Sequence, residues 1–287
     1  MREWIPVLLA TLMAASGSAQ APAPAASPAA TQDQGGAGDL LVAPTRLVIE
    51  NGQHVAEVAL FNQGSTPGTY RISLLRTQMS SDGSITEGPA PADGSVDPVS
   101  LFRYSPHQVT LQPGETQIIR IALRKPAQLP DGEYRVHLQF LGLPPVEAPK
   151  PKSDQPQKGL SVVIKPVFGV SIPLILRQGN LSATANLSGL AIQADAQGHS
   201  LLKMNLDREG NASVYGDLKA VFTATGGPTQ PVGELNGVAV YTPLASRSVS
   251  FRLDPPAGMS LRHGTLAVSF VDEKTHATLA TATLAVP

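Results

Sequence analysis

Short runs in which apolar and polar residues alternate constrain this fold more than any other feature of the sequence. Residues 134–140 place Tyr, Val, Leu and Phe at every second position, and residues 70–74 and 119–123 follow the same rule. Successive side chains of a β-strand point to opposite faces, so this period predicts half-buried strands. Residue pairs that favour turns separate the runs: Gln63-Gly64, Asp82-Gly83, Pro113-Gly114 and Asp131-Gly132.

The same rhythm resumes in the second half of the chain, in residues 202–206, 249–253 and 266–270. The 287 residues include 26 glycines and 26 prolines, which disfavours long helices and is typical of many short segments. Several short strands at regular spacing with turns between them indicate β-sandwiches, and the second, of roughly a hundred residues, has the size typical of the immunoglobulin-like architecture. We therefore expect an all-β protein with one sandwich over residues 39–178 and a second over residues 179–287.

The N-terminal residues have the composition of an export signal. Arg2 precedes an apolar run over residues 4–15, and small residues follow at positions 17–19. This order is typical of a signal peptide, which we assign to residues 1–19, and the run is short for a membrane span. Residues 20–38 are mostly Ala, Pro, Gly and Gln and are predicted to be a disordered linker. We expect an exported chain whose mature part is not inserted in a membrane.

Charge and motif content argue against several classes of function. The formal net charge is −1, so no basic surface predicts nucleic-acid binding. The six histidines are scattered singly, without the spacing of a metal site, and the alternation of His137 with Val136 and Leu138 predicts that this histidine faces solvent. The sequence has no G-x-S-x-G elbow and no glycine-rich phosphate loop. We expect neither an enzyme nor a cofactor. The chain also lacks cysteine, so packing rather than disulfides is expected to hold it together after export.

Four segments resemble, in order and spacing, the first domain of the PapD-like periplasmic chaperones of the chaperone/usher pathway of pilus assembly. The resemblance covers about residues 39–180. The segments are a first strand with an arginine after threonine, an L-x-P-G turn, a strand that ends in two prolines, and a closing strand: 41–50 (LVAPTRLVIE), 111–121 (LQPGETQIIRI), 129–145 (LPDGEYRVHLQFLGLPP) and 164–179 (ending IPLILRQG).

This resemblance implies a fold and a function. The family's fold is two immunoglobulin-like sandwiches in an L or boomerang arrangement with a cleft between them. Its members bind pilin-like secreted subunits in the periplasm by donor-strand complementation, in which the chaperone lends an edge strand to an incomplete subunit. The subunit then passes to an outer-membrane usher. Such β-augmentation uses main-chain hydrogen bonds for affinity and alternate side chains for specificity.

The resemblance also assigns the binding residues. The donated side chains lie two residues apart and therefore share one face of the strand. Arg46 matches the family's arginine at the base of the cleft, which grips the terminal carboxylate of the subunit with its planar fork. The expected subunit-binding side chains of the donated strand are Val162, Ile164, Pro166, Phe168 and Val170.

Two positions depart from the family pattern. The family's second basic anchor, a lysine, falls on Pro173, and the nearest lysine in that strand is Lys165, about eight residues earlier. Lys165 is therefore only a possible second anchor, and a solvated lysine is the alternative. Pro166 cannot donate a ladder hydrogen bond, which an edge strand tolerates better than a central one.

Other interpretations remain open at this point. Arg46 is also compatible with a surface arginine, and residues 164–168 with a strand buried on both faces. An exported structural or adhesive protein would have the same strand rhythm. A carbohydrate-binding module in the cleft is the other alternative, although one Trp and five Tyr provide few aromatic platforms.

Overall fold

The computed structural model describes residues 39–50, 52–92, 95–144 and 167–287. These residues form strands almost throughout, with a single short 3-10 helix at Pro98–Leu101 among them. The predicted signal peptide and linker, residues 1–19 and 20–38, lie outside the described residues. In the part of the chain that the structure describes, no helix is long and apolar enough to cross a membrane.

Nine of the first eleven strands form a sandwich of two sheets, in the orders β1-β3-β9-β7 and β2-β11-β10-β4-β8. A separate hairpin, β5–β6, projects between β4 and β7. The strands are β1 (Leu40–Ala43), β2 (Leu47–Ile49), β3 (Val55–Asn62), β4 (Gly68–Leu75), β5 (Thr77–Met79), β6 (Ile85–Glu87), β7 (Phe102–Ser105), β8 (Gln108–Leu111), β9 (Thr116–Leu123), β10 (Gly132–Leu143) and β11 (Gly169–Gln178).

The core of this sandwich comes from the apolar half of each alternating strand. In β10 the side chains of Val136, Leu138 and Phe140 are fully buried, and those of Ile119 and Ile121 in β9 meet them from the opposite sheet. Side chains at every second position face the same way, so one run of alternating residues covers one face of the core. This packing confirms the strands that the alternation predicted there.

The last seven strands form a second sandwich with its own core. Its sheets have the orders β12-β13-β16 and β15-β14-β17-β18. The strands are β12 (Ala183–Ala194), β13 (Ser200–Gly210), β14 (Val214–Ala224), β15 (Thr229–Val240), β16 (Ser246–Arg252), β17 (Gly264–Asp272) and β18 (Thr278–Val286). Large apolar side chains such as Phe222, Phe251 and Phe270 fill its interior. The prediction of an all-β protein with two sandwiches is confirmed, whereas the limits 39–178 and 179–287 stay a prediction.

A third, smaller apolar cluster joins the two sandwiches. Ile175 of β11 is fully buried against Ala239 and Tyr241 of the second sandwich. The outer face of the β2–β11–β10 sheet is therefore covered around Ile175. The alternation had placed His137 of β10 on the solvent side, and this expectation is wrong: His137 is only 6% exposed, because the second sandwich covers that face of the strand.

The β5–β6 hairpin adds a second contact between the sandwiches. The amide of Ser248 in β16 donates to the carbonyl oxygen of Ser81 at the hairpin tip, at 2.7 Å. Gly83 follows with a positive φ of 87°. A Cβ at this glycine would overlap the guanidinium of Arg247, so the turn and the arginine fit only without a side chain there.

Candidate binding site along strand β11 and in the cleft

Strand β11 has an open edge beside the predicted donor residues. It pairs antiparallel with β10 along its whole length, whereas β2 covers its other edge only from Leu174 to Leu176. Residues 169–173 therefore have no neighbouring strand on that side among the residues that the structure describes. An uncovered strand edge is a place at which another chain can add a strand.

The strand register determines which main-chain groups point toward this edge. The amide of Gly142 donates to the carbonyl oxygen of Phe168 at 2.9 Å. Hydrogen-bonded pairs alternate in an antiparallel ladder, so residues 169, 171 and 173 turn their main-chain groups toward the open edge. Pro173 lies at one of these outward positions, where its missing N–H breaks no bond of the sheet. The edge offers the amides and carbonyls of Gly169 and Ser171, together with the carbonyl of Pro173.

One face of β11 carries an apolar row that begins in the first core and ends in solvent. Ile172, Leu174 and Leu176 are buried in that core. Val170 packs against the same core and is only partly buried, and Phe168, just before the strand, is 47% exposed. The row leaves the core toward the end at which the strand edge is open. A partner chain that adds a strand at this edge would bury Phe168 further.

The structure covers only part of the predicted donor row. Phe168 and Val170 lie among the described residues. The subunit-binding roles of these residues stay a prediction. The other predicted donor residues and the possible basic anchor lie outside the described residues: Val162, Ile164, Lys165 and Pro166.

Arg46 lies in a cleft between the two sandwiches. It immediately precedes Leu47, which pairs with Leu174, so the strand register places Arg46 beside Pro173. The cleft has a volume of about 760 Å³. Its lining comes from both sandwiches and includes Arg46, Val48, Arg177, Ser213, Tyr215 and Lys274.

The guanidinium of Arg46 has an unused hydrogen-bonding edge. Its Nε and Nη2 atoms are buried and have no hydrogen-bond partner among the described residues. These two N–H groups lie on the same side of the guanidinium, and Arg76 uses the same pair to bind both carboxylate oxygens of Asp97. An arginine edge of this kind accommodates one carboxylate in a bidentate arrangement. Arg46 therefore has the chemistry of a carboxylate-binding residue without a carboxylate of its own.

The other arginine that lines the cleft is paired. Arg177 Nε donates to Glu133 Oε2 at 3.3 Å, and Arg177 Nη2 donates to the carbonyl oxygen of Ser213 at 3.2 Å. Glu133 Oε2 also accepts from the amide and the hydroxyl of Ser213, at 3.1 and 2.7 Å. The Glu133 side chain is fully buried. This network ties β10 and β11 to the second sandwich and leaves Arg46 as the cleft arginine whose fork is unpaired.

A buried basic pair lies on the same face of β10, deeper in the interface between the sandwiches. Arg135 Nη1 lies 3.2 Å from His137 Nε2 and donates to Thr77 Oγ1 at 2.8 Å. The Arg135 guanidinium also stacks on the ring of Tyr241, 4.3 Å from its centroid. Burial, and secondly the nearby charge of Arg135, lower the pKa of His137 to about 4, so the imidazole is neutral near pH 7 and accepts a hydrogen bond from Arg135.

The residues that the second sandwich contributes to the cleft were not predicted from the sequence. Tyr215 and Ser213 belong to a half of the chain that showed strand rhythm and no motif. Glu133 and Arg177 carried a signal, since both fall in segments that resemble the family, but no role was assigned to them. In the described part of the chain, no cluster of His, Asp and Glu could hold a metal ion.

The fold and this cleft define a class: a two-sandwich binding protein with an uncovered strand edge and an unpaired arginine beside it. Residues 39–177 match the family model described as "Pili and flagellar-assembly chaperone, PapD N-terminal domain". Residues 39–177 therefore form a PapD-like N-terminal chaperone domain, which confirms the resemblance of the first domain. The family is one of chaperones rather than of enzymes.

Structure comparison also matched chains from solved chaperone structures. The YadV chaperone is 14% identical, with 86% of this chain and 100% of that chain covered and a TM-score of 0.44. A chain from the Salmonella enterica complex of the SafA pilin with the SafB chaperone is 16% identical, with coverages of 86% and 96% and a TM-score of 0.41. With TM-scores below 0.5, these likenesses carry no part of the assignment. A search of curated protein sequences gave no match.

Proposed function

We propose that this protein is an exported chaperone that binds pilin-like subunits in the periplasm by donor-strand complementation. The observation that carries the proposal is the apolar row of β11, which leaves the first core at Ile172 and reaches Phe168 beside an open strand edge. An edge of this kind invites aggregation unless a partner covers it. Export follows from the signal peptide predicted at residues 1–19, and transfer to an outer-membrane usher follows from the family.

In this mechanism the subunit first pairs with the open edge of β11, and side chains of the chaperone then complete the subunit's core. The subunit adds its sheet to the edge at residues 169–173, where Gly169 and Ser171 offer outward main-chain groups. Phe168 and the predicted donors before it then fill the gap in the subunit's core. Burying a phenylalanine side chain contributes about 2–3 kcal/mol. Binding thus draws on apolar burial and main-chain hydrogen bonds, and it requires neither a nucleotide nor a metal.

Arg46 supplies the fixed point of this complex. Its unpaired Nε and Nη2 atoms bind the terminal carboxylate of the subunit, which sets the register of the subunit along β11. Pro173, where the family has its second basic anchor, lies next to Arg46 and carries no charge. The only other cleft arginine, among the described residues that line it, is Arg177, which is committed to Glu133. We propose that a single arginine performs the anchoring here.

Co-purification from a periplasmic extract tests this function with matched variants. Phe168→Asp places a charge in the donor row, and Val167→Asp places the same charge on the neighbouring residue, which is 50% exposed, against 47% for Phe168. Adjacent residues of an extended chain face opposite sides, so only Phe168→Asp should affect donation. The third variant, Arg46→Ala, removes the anchor.

The wild type and Val167→Asp are expected to retain a small β-rich subunit. Recovery should fall at least tenfold with Phe168→Asp. The substitution loses about 2–3 kcal/mol of apolar burial, and it places a charge in the apolar interface. Arg46→Ala should also reduce recovery at least tenfold, since removing one partner of a desolvated charge pair costs about 2–5 kcal/mol. Equal recovery from all four proteins would refute strand donation, as would an equal loss with Val167→Asp.

A further inference from the structure

We infer that Tyr215 of the second sandwich is a positioning residue for the anchor: its ring holds the Arg46 guanidinium with the Nε and Nη2 atoms free for a carboxylate. The inference rests on the anchoring role proposed for Arg46. It gives the second sandwich a direct part in the anchoring site.

The contact between the two side chains is an aromatic stack. The Cζ atom of Arg46 lies over the Tyr215 ring, 4.4 Å from its centroid. A cation above a ring face is attracted by the negative potential of the π-system and loses water from one side. An arginine side chain has many rotamers, and the stack selects those that keep the guanidinium on the ring. The conformational entropy of the anchor is thus already reduced before a carboxylate arrives.

The ring itself is fixed by the second sandwich. Tyr215 lies in β14 and pairs with Ala239 of β15, and it packs against the cluster that contains Ile175. Gly237, with a positive φ of 69°, lies beside the ring. A Cβ at Gly237 would come within 3.2 Å of the Tyr215 hydroxyl, so the glycine leaves room for the phenol. The position of the Tyr215 ring is therefore fixed by the residues around it.

Arg46 differs from the other arginines of the interface in which of its guanidinium N–H groups lack a hydrogen-bond partner. Arg177 uses both Nε and Nη2 in hydrogen bonds. Arg135 and Arg247 each leave Nε alone without a partner, whereas Arg46 leaves Nε and Nη2 together. A purely structural arginine gains nothing from burying two adjacent N–H groups without acceptors, since each unmet donor is costly. A carboxylate bound at this edge of the guanidinium would satisfy both N–H groups at once.

The test follows the Nε–H resonance of Arg46, assigned with Arg46→Lys, in ¹⁵N-labelled full-length protein. Sodium acetate serves as the smallest carboxylate, and acetamide and sodium chloride serve as the uncharged and the ionic control. The Arg177 resonance is an internal reference, because its Nε already binds Glu133. The proteins compared are the wild type, Tyr215→Phe, which keeps the ring, and Tyr215→Leu, which removes it.

In the wild type we expect an upfield ring-current shift of the Arg46 Nε–H signal and a saturable response to acetate alone. Tyr215→Phe should keep both properties. Tyr215→Leu should lose the ring-current shift and bind acetate roughly tenfold more weakly, as expected for the loss of a partly desolvated cation–π contact. A structural role of Tyr215 alone would leave the acetate affinity of the folded variant unchanged.

The outcomes separate this inference from the function on which it rests. If acetate does not perturb Arg46 in the wild type, the anchoring role of Arg46 fails, and the positioning role fails with it. If acetate binds equally to the wild type and to Tyr215→Leu, anchoring stands and positioning by Tyr215 is refuted. If Tyr215→Leu does not fold, the wild-type spectrum still decides, because an Arg46 signal without a ring-current shift would overturn the stack.

Discussion

Replacing His137 with glutamine is predicted to remove a pH dependence from the stability of this protein. His137 is buried between the sandwiches, and its Nε2 atom lies 3.2 Å from Arg135 Nη1. Protonation would bring a second positive charge against this arginine in a site from which water is excluded. The amide oxygen of glutamine can accept a hydrogen bond from Arg135 and does not titrate, so His137→Gln isolates the effect of the proton.

The magnitude follows from the two pKa values of the histidine. The pKa is about 4 in the folded protein, because of burial and the charge of Arg135, and about 6.5 in the unfolded chain. Between these values the unfolded chain binds more protons, so stability falls as the pH falls. The contribution of His137 is fully present above pH 7. About 2 kcal/mol of it is lost at pH 5 and about 3 kcal/mol at pH 4.

The assay is urea unfolding at pH 7.5, 5 and 4 for the wild type, His137→Gln and His54→Gln. His54 is an exposed histidine and serves as the matched control. Between pH 7.5 and 5 the wild type and His54→Gln should lose about 2 kcal/mol more than His137→Gln. Titration of the ring signals by nuclear magnetic resonance gives the folded pKa of His137 directly. A folded pKa near 6.5, or identical pH profiles for the wild type and His137→Gln, would refute the reasoning.

Three further predictions concern stability at pH 7.5, each measured by chemical denaturation. Glu133→Ala should cost about 3 kcal/mol, because it leaves Arg177 without its buried partner. Arg76→Ala should cost much less than Glu133→Ala, since its ion pair is more exposed and screened by solvent, and equal losses for the two variants would contradict the distinction. Gly83→Ala should cost about 1–2 kcal/mol, because φ is 87° and Arg247 occupies the space of a Cβ; an unchanged denaturation midpoint would show that the hairpin relaxes without cost.

Much of the fold follows from local sequence, because the two-residue period of a strand is a local property. Residues 119–123 and 134–140 fall within β9 and β10, and their apolar members lie in the first core. The period identifies the two faces of a strand, but it does not identify what covers each face. His137 was misplaced for this reason: the polar face of β10 meets a domain that is distant in sequence.

The same distinction between local patterns and long-range contacts applies to the candidate site. Arg46 and the donor row were predicted because they fall in segments that resemble a known family. Tyr215 was not, since its contact with Arg46 depends on how two separately folded sandwiches pack. The contact of Glu133 with Ser213 spans 80 residues of sequence and is equally invisible to local patterns. Long-range side-chain contacts of this kind require the structure.

The cluster that joins the two sandwiches limits how the protein can be divided for engineering. A truncated chain that ended after β11 would expose Ile175 to water and remove the aromatic partners of Arg46 and Arg135. It would also leave the Glu133 carboxylate without the hydroxyl and amide that it accepts from. A recombinant carrier built on the β11 edge therefore needs both sandwiches. An exchange of the second sandwich with that of a relative must retain aromatic rings at the positions of Tyr215 and Tyr241.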